Sequence, residues 1–215
     1  MSRIIEEFEQ ICIEKKDSTA FIYQAKKGLV KKSFSKLYED VNRVIMELKN
    51  LNALKGDRIL VFTPPSYELV VFMLACMKLG ISVMYVDIWA GGKLISDTLK
   101  KYKADYIAVS KKTSFLRLGF ASIRKIKKLI FIDREYAKES TVSVKFANEK
   151  IEEDCPALLT MTSGSTGVPK IALRTHKDLY EQLELVKSNM GKEEEQVVLT
   201  SVFIYSFANI LKGFC

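Results

Sequence analysis

Hydrophobic and polar positions along this chain alternate between two rhythms. In "SFSKLYEDVNRVIMELKNL", Phe34, Leu37, Tyr38, Val41, Val44, Ile45 and Leu48 recur every three or four residues. That spacing puts them on one face of an amphipathic helix. Ser33 stands where an N-cap belongs, although Lys36 denies it the acid of a capping box. Tyr67 to Leu79 is apolar on nearly every side, as a buried helix is; Pro64-Pro65-Ser66 open it and Gly80 supplies a left-handed stop. Between the helical stretches lie short apolar runs: "GDRILVF", "ISVMYVDI", "DYIAVS" and "LIFID". Runs that do not alternate suit central strands buried on both faces. Ala20 to Tyr23 reads as a further short strand, with a turn at Gly28, and Gly91-Gly92 lead into a helix from Lys93 to Tyr102.

The succession strand, helix, strand, helix, strand predicts an α/β fold, a mainly parallel sheet with helices on both faces. No internal repeat and no clear domain boundary interrupt it, and Glu135 to Asp154 reads as a polar surface connection. The most apolar run, Leu69 to Leu79, is about half of the ~20 residues that a membrane-spanning helix needs. The opening "MSRIIEEFEQ" is amphipathic and acidic, unlike a secretory signal, so the expectation is a soluble cytoplasmic protein without a membrane span.

Composition narrows the picture a little further. The 215 residues fit one large domain or a large part of one, and 48% hydrophobic content is ordinary for a globular core. The net charge of +8 comes from scattered clusters such as Lys100-Lys101-Lys103 and Arg124-Lys125-Lys127-Lys128. No RNA-binding aromatic motif accompanies them, so they read as solvated helix faces and strand ends, and no nucleic-acid partner is expected. Cys12, Cys76, Cys155 and Cys215 are far apart and form no CxxC pair, which points to reduced thiols and no metal site. His176 is the single histidine, so chemistry that needs two is excluded.

The candidate chemistry lies in "TSGSTGVPK", after the short strand candidate "ALLTM". Gly164 and Gly167 allow tight curvature and close approach of a ligand to the backbone. Thr162, Ser163, Ser165 and Thr166 add hydroxyls, successive amides can form an anion nest, and Lys170 adds a full charge. Together they suit a polyphosphate. The spacing is not that of the common P-loop, because Gly164 and Gly167 are too close and Pro169 separates the loop from Lys170. Nor is it a GxSxG nucleophile elbow, since Ser163 occupies the first glycine position. "KIALR" then reads as a strand, making the loop a hairpin end. On spacing alone, a Ser/Gly-rich surface turn without a ligand is an equal reading. Thr175-His176-Lys177-Asp178 has a capping-box pattern, followed by a helical face of Leu179, Leu183, Val186 and Met190; His176 at the first helical position is thus structural or merely exposed. Phe203, Tyr205 and Phe207 read as core packing of an apolar strand.

"TSGSTGVPK" resembles the phosphate-loop signature of the AMP-binding, adenylate-forming superfamily, which includes acyl-CoA synthetases, luciferases and peptide-synthetase adenylation domains. "FSKLYEDVNRVIMELKNLNALKGDRILVF", "PPSYELVVFMLACMKLGISVMYVDI" and "RTHKDLYEQ" resemble the family's neighbouring segments in the same order, from about Thr19 to the end of the chain. Tyr85 and Ile88 depart from it, standing where the family usually has proline. "SVFIYSFANILKG" departs too, and looks more like the olefin-pathway β-lactone synthetases and their long-chain relatives.

The resemblance implies an ATP-dependent ligase that activates a carboxylic or fatty acid as acyl-AMP, with magnesium, and passes the acyl group to a thiol such as that of coenzyme A. In the lactone branch a hydroxyl of the same substrate takes that part. Thr162, Ser163, Gly164, Ser165, Thr166 and Gly167 would cradle the β- and γ-phosphates, and Lys170 would screen them as the catalytic cation. The family's later Y-G-x-T-E motif, whose acid helps hold magnesium, is not in the 215 residues, nor are the ribose-binding aspartate and the mobile domain with its lysine. The expectation is therefore that residues 1–215 are the N-terminal part of an adenylation domain without its C-terminal catalytic portion. Alone it would not complete adenylation. It would be a truncated gene product, an expressed fragment or one piece of a split enzyme with a complementary C-terminal polypeptide; the alternative is a non-catalytic nucleotide-binding remnant.

Overall fold

The computed structural model describes residues 2–25, 28–86, 92–114, 126, 128–132, 150–162, 170–189, 197–198 and 203–213. Helix α1 (Arg3–Glu14) leads into an antiparallel hairpin, β1 (Thr19–Ala25) and β2 (Gly28–Ser33). The second strand extends beyond the sequence expectation: "GLVKKS" is polar and half-buried, so no apolar run announces it.

Next come α2 (Phe34–Asn50), β3 (Arg58–Phe62), α3 (Tyr67–Leu79), β4 (Ser82–Tyr85), α4 (Gly92–Lys101), β5 (Tyr106–Val109) and β6 (Lys128–Phe131). Then follow β7 (Pro156–Thr162), β8 (Lys170–Thr175), α5 (His176–Asn189) and α6 (Phe203–Lys212). The main sheet has six strands in the order β6-β5-β3-β4-β7-β8. Only β8 runs antiparallel, against β7. This is the mainly parallel α/β architecture that the run order predicts.

Period-two alternation divides β3, β4 and β5 between two cores. Ile59, Val61, Val83, Tyr106 and Ala108 face the larger one, built with α1, α2, α3, α5 and α6. Leu60, Phe62, Met84, Ile107 and Val109 face the other, with Ile95 of α4 and Tyr102. Helices thus cover both faces. Helix α3 is buried along its whole length because α2 packs on it while the sheet lies beneath. Even Lys78 is enclosed there, its Nζ donating to Glu9 Oε1 at 2.6 Å and lying 4.9 Å from the Tyr38 ring. Gly80 ends α3 at φ 65°; its amide bonds the Met77 carbonyl and the Ile81 amide bonds that of Cys76. That is a Schellman pair, and it needs the left-handed conformation which glycine adopts without strain.

Ser33 and Ser66 cap α2 and α3 by accepting from the amides of Lys36 and Leu69 at 3.2 Å. Asp40, fully buried on α2, joins three elements. It accepts from the Tyr67 hydroxyl of α3 at 2.9 Å and from Arg43 at 3.2 Å, and pairs with Lys36 at 3.3 Å and Lys32 of β2 at 3.9 Å. A buried carboxylate is tolerable only with such partners.

The run Phe203 to Phe207 corrects the sequence expectation. It is the first half of helix α6, not a strand, with Phe207, Ala208, Ile210 and Leu211 buried against the larger core. A short apolar run carries no period that separates strand from buried helix.

Candidate functional site

Strand β7 delivers the loop to the carboxyl end of the parallel sheet. Its register with β4 pairs Val83 with Leu158 and Tyr85 with Thr160, so the two strands point the same way. Crevices at such carboxyl ends are where open α/β sheets hold ligands. Strand β8 returns antiparallel, and the last pair before the turn is Thr162 with Lys170. The sequence-predicted hairpin is therefore present, with Thr162 closing one strand and Lys170, exposed, opening the next. Ser163, Gly164, Ser165, Thr166 and Gly167 lie outside the described residues, between those two anchors.

Three features hold the hairpin in place. Alternate side chains plug into both cores, Leu158 into the larger one and Leu159, Met161 and Ile171 against the smaller. Arg174 Nη1 donates across the hairpin to Thr160 Oγ1 at 2.8 Å. Sequence reading passed over this pair, because its only signal is the register between two strands.

The third feature is the junction with α5. Thr175 and Asp178 form the predicted capping box: Asp178 N–H donates to Thr175 Oγ1 at 3.1 Å, and the Thr175 amide and hydroxyl donate to Asp178 Oδ2 at 2.9 and 2.8 Å. Those bonds, the amide first, hold the Asp178 carboxyl below the usual range.

His176 is structural, as one half of the expectation had it, but it is fully buried rather than exposed. Its Nδ1 lies 2.9 Å from Ser2 Oγ at the start of α1, and its amide bonds the Cys155 carbonyl at 3.0 Å. Burial lowers its pKa to about 4, with Glu153 acting weakly the other way. Arg3 clamps Glu153 with its amide at 2.8 Å and its guanidinium at 3.0 and 3.2 Å. Burial pushes the Glu153 carboxyl up, but the bonds from Arg3 outweigh it and hold the group low. Tyr180 and Lys187 of α5 both reach Glu7 of α1 at 2.9 Å. Helix α1 thus straps the base of the hairpin to the rest of the fold.

The neighbouring strand ends are tied similarly. Thr113 Oγ1, in the turn after β5, donates to the Phe62 carbonyl at the end of β3, and Ser110 bonds Thr113 in turn. Of metal-ligating groups, Glu152, Asp154 and Cys155 bring three donor atoms within 4.8 Å of one another. They precede β7, a strand length from the hairpin loop, and two are exposed carboxylates. Among the described residues no helix is long and apolar enough to cross a membrane.

The profile of the AMP-binding enzyme family matches residues 8–213. The chain belongs to that family. Among curated relatives it is 26% identical over 195 residues to the acetyl-coenzyme A synthetase of Bacillus subtilis strain 168, covering 85% of this chain and 34% of that protein. To the acetyl-coenzyme A synthetase of Laribacter hongkongensis it is 28% identical over 181 residues, covering 72% of this chain and 28% of that one. Among solved structures, an o-succinylbenzoate CoA synthetase of Bacillus subtilis superposes with a TM-score of 0.78 at 20% identity, covering 97% of this chain and 42% of that chain. A fatty acyl CoA synthetase of Mycobacterium tuberculosis does so with 0.80 at 16% identity, covering 100% and 44%. These two likenesses show the fold. The chain spans 34% and 28% of the two curated synthetases and under half of the two solved chains.

Proposed function

We propose that the β7–β8 hairpin grips the triphosphate of ATP during formation of an acyl-adenylate. The observation that carries this reading is the pairing of Thr162 with Lys170 at the carboxyl end of a parallel sheet, in a chain of the AMP-binding enzyme family. One of the similar solved structures, an o-succinylbenzoate CoA synthetase of Bacillus subtilis, is in complex with an acyl-adenylate intermediate, which supports the assignment.

In the proposed reaction a carboxylate oxygen attacks the α-phosphorus of ATP. The acyl–phosphate bond forms, the bond to the bridging oxygen breaks, and pyrophosphate leaves with its electron pair. Negative charge gathers on that leaving group, so donors fixed in advance lower the barrier. Thr162, Ser163, Gly164, Ser165, Thr166 and Gly167 cradle the phosphates, and Lys170 adds the counter-charge. The strand pairing matters here, because it anchors both ends of the loop to a rigid sheet. Magnesium enters as part of the ATP complex. A thiol, that of coenzyme A in the acyl-CoA synthetases, then displaces AMP. In this reading, as the family resemblance implies, turnover also draws on a complementary C-terminal polypeptide.

Titration of the 215-residue chain with Mg-ATP by calorimetry tests the grip directly. Lys170→Ala is expected to weaken binding roughly tenfold, the ~1.4 kcal/mol scale of one charge-assisted contact. Equal affinity in the two proteins would remove Lys170 from the site. Pyrophosphate exchange across a panel of carboxylic acids, in a longer frame that includes the C-terminal portion, then identifies the acid.

A further inference from the structure

At the amino ends of the strands, opposite the hairpin loop, lies a cavity of about 320 Å³. Arg58 opens β3, Ser82 opens β4 and Pro156 opens β7, and all three line it. Six intervals of β7 at ~3.3 Å each put about 20 Å between Pro156 and the loop after Thr162, and three put about 10 Å between that loop and Leu159, the lining residue of β7 nearest to it. Its walls are largely apolar: Leu159 and Leu173, a cross-strand pair of β7 and β8, line it together with Tyr102. Leu173 is 51% exposed at the rim, so a ligand there would remove apolar surface from water. The volume is about twice the ~150 Å³ that accommodates a benzene ring.

The charged side chains that line this cavity are cations; the carboxylates of Glu152 and Asp154 lie outside the lining, within 4.8 Å of the Cys155 Sγ. Lys55 and Arg58 line it, and no carboxylate does among the described residues. Both cations are held in place. Arg58 lies 5.9 Å from the Tyr102 ring centre with its Nε 3.9 Å from Asp105. Lys55 Nζ donates to the Lys150 carbonyl at 2.8 Å. Gly80 makes room for the lysine stem, since a Cβ there would come within 3.0 Å of Lys55 Cγ and 2.7 Å of Ile151 Cδ1. Two of the nearby acids accept from backbone amides, Asp57 from Leu54 N at 2.8 Å and Asp105, besides its pairing with the Arg58 guanidinium, from Arg58 N at 2.9 Å. The Tyr102 hydroxyl is buried beside Ser82 and makes no hydrogen bond of standard geometry among the described residues.

We infer that this cavity is a second ligand site, for a small aromatic carboxylate. The ring fills the space between Leu159, Leu173 and Tyr102, and the carboxylate meets Arg58 and Lys55. A bare phosphate has the right sign but no apolar body for these walls. The inference does not rest on the nucleotide reading, because the two sites share no residue.

Cys155 lines the same cavity and is partly exposed, whereas Cys12 and Cys76 are buried. It therefore serves as a reporter. With Cys215 replaced by serine, the rate of Cys155 alkylation by iodoacetamide is measured by mass spectrometry against rising 2-naphthoate. Saturable protection is expected, with at least tenfold weaker protection by the neutral 2-naphthalenemethanol and in Arg58→Gln. Leu173→Trp, which fills the rim, is expected to abolish the 2-naphthoate effect. A crystal soaked with 6-bromo-2-naphthoate should place the bromine between Leu159 and Leu173, a readout that requires no variant. Protection must be unchanged in Lys170→Ala and with Mg-ATP present. Unprotected Cys155, or equal protection by the alcohol, overturns the inference; so does protection that vanishes with Mg-ATP, because the acid then occupies the nucleotide end. Failure of ATP binding alone would leave this result standing and would count against the nucleotide reading only.

Discussion

The buried His176 makes stability pH-dependent in a way that one substitution isolates. Its folded pKa is about 4 against an ordinary 6.5, because burial disfavours the imidazolium. Its Nδ1 faces Ser2 Oγ, its Nε2 has no hydrogen-bond partner among the described residues, and the charge that acts on it is that of Glu153, itself paired with Arg3. The unfolded chain therefore takes up a proton near pH 6.5 while the folded chain does not. The contribution is intact above the unfolded pKa and is lost as pH falls from 6.5 toward 4. With those two values, linkage predicts a loss of about 2 kcal/mol between pH 7 and pH 5, and about 3 kcal/mol in all. Urea unfolding at pH 7, 6 and 5, with the wild type beside His176→Gln, measures it. Glutamine keeps a polar partner for Ser2 and does not titrate. The variant will be less stable at every pH through lost packing, but its stability should fall by about 2 kcal/mol less between pH 7 and 5. Carboxylates such as Glu153 and Asp178 also lose their contributions in acid, yet they do so in both proteins and cancel in the difference. Parallel pH profiles for the two proteins would refute the reasoning, since they would mean that the imidazole is hydrated or charged in the fold.

Other perturbations follow from the same geometry. Thr175→Ala removes a cap and releases Asp178, so it should destabilise by about 1 kcal/mol in urea unfolding, while Thr175→Ser should recover most of that. Asp40→Asn removes the charge that Lys32, Lys36 and Arg43 share. A loss of about 2 kcal/mol is expected, below the ~3–5 kcal/mol of a fully enclosed pair because these cations keep some access to water. Thermal melts would read it, and an unchanged midpoint would count against the network. Gly80→Ala forces a left-handed alanine and pushes on Ile151, for a loss of about 1–2 kcal/mol by the same measurement.

Local chemistry made much of this protein legible before any tertiary contact was known. Helix α3 from Tyr67 to Leu79, its glycine stop and the Thr175–Asp178 box stand where the residues announced them, because caps and periods act within a few positions of the chain. The hairpin around "TSGSTGVPK" was readable too, since the apolar runs on either side of a Gly/Ser/Thr loop are short enough to be strands. Tertiary structure alone decided the rest. The strand order β6-β5-β3-β4-β7-β8 brings together runs far apart in sequence, and nothing in "RILVF" states that it lies between "YIAV" and "SVMY". The run from Phe203 became a helix because the larger core had a helix-shaped place for Phe207 and Ile210. His176 was sealed by α1, which lies 174 positions away at Ser2. The amino-end cavity gathers Lys55, Tyr102 and Leu173 from three distant segments. Propensity and capping are properties of neighbours along the chain, whereas burial, strand order and cavities depend on which distant surfaces meet.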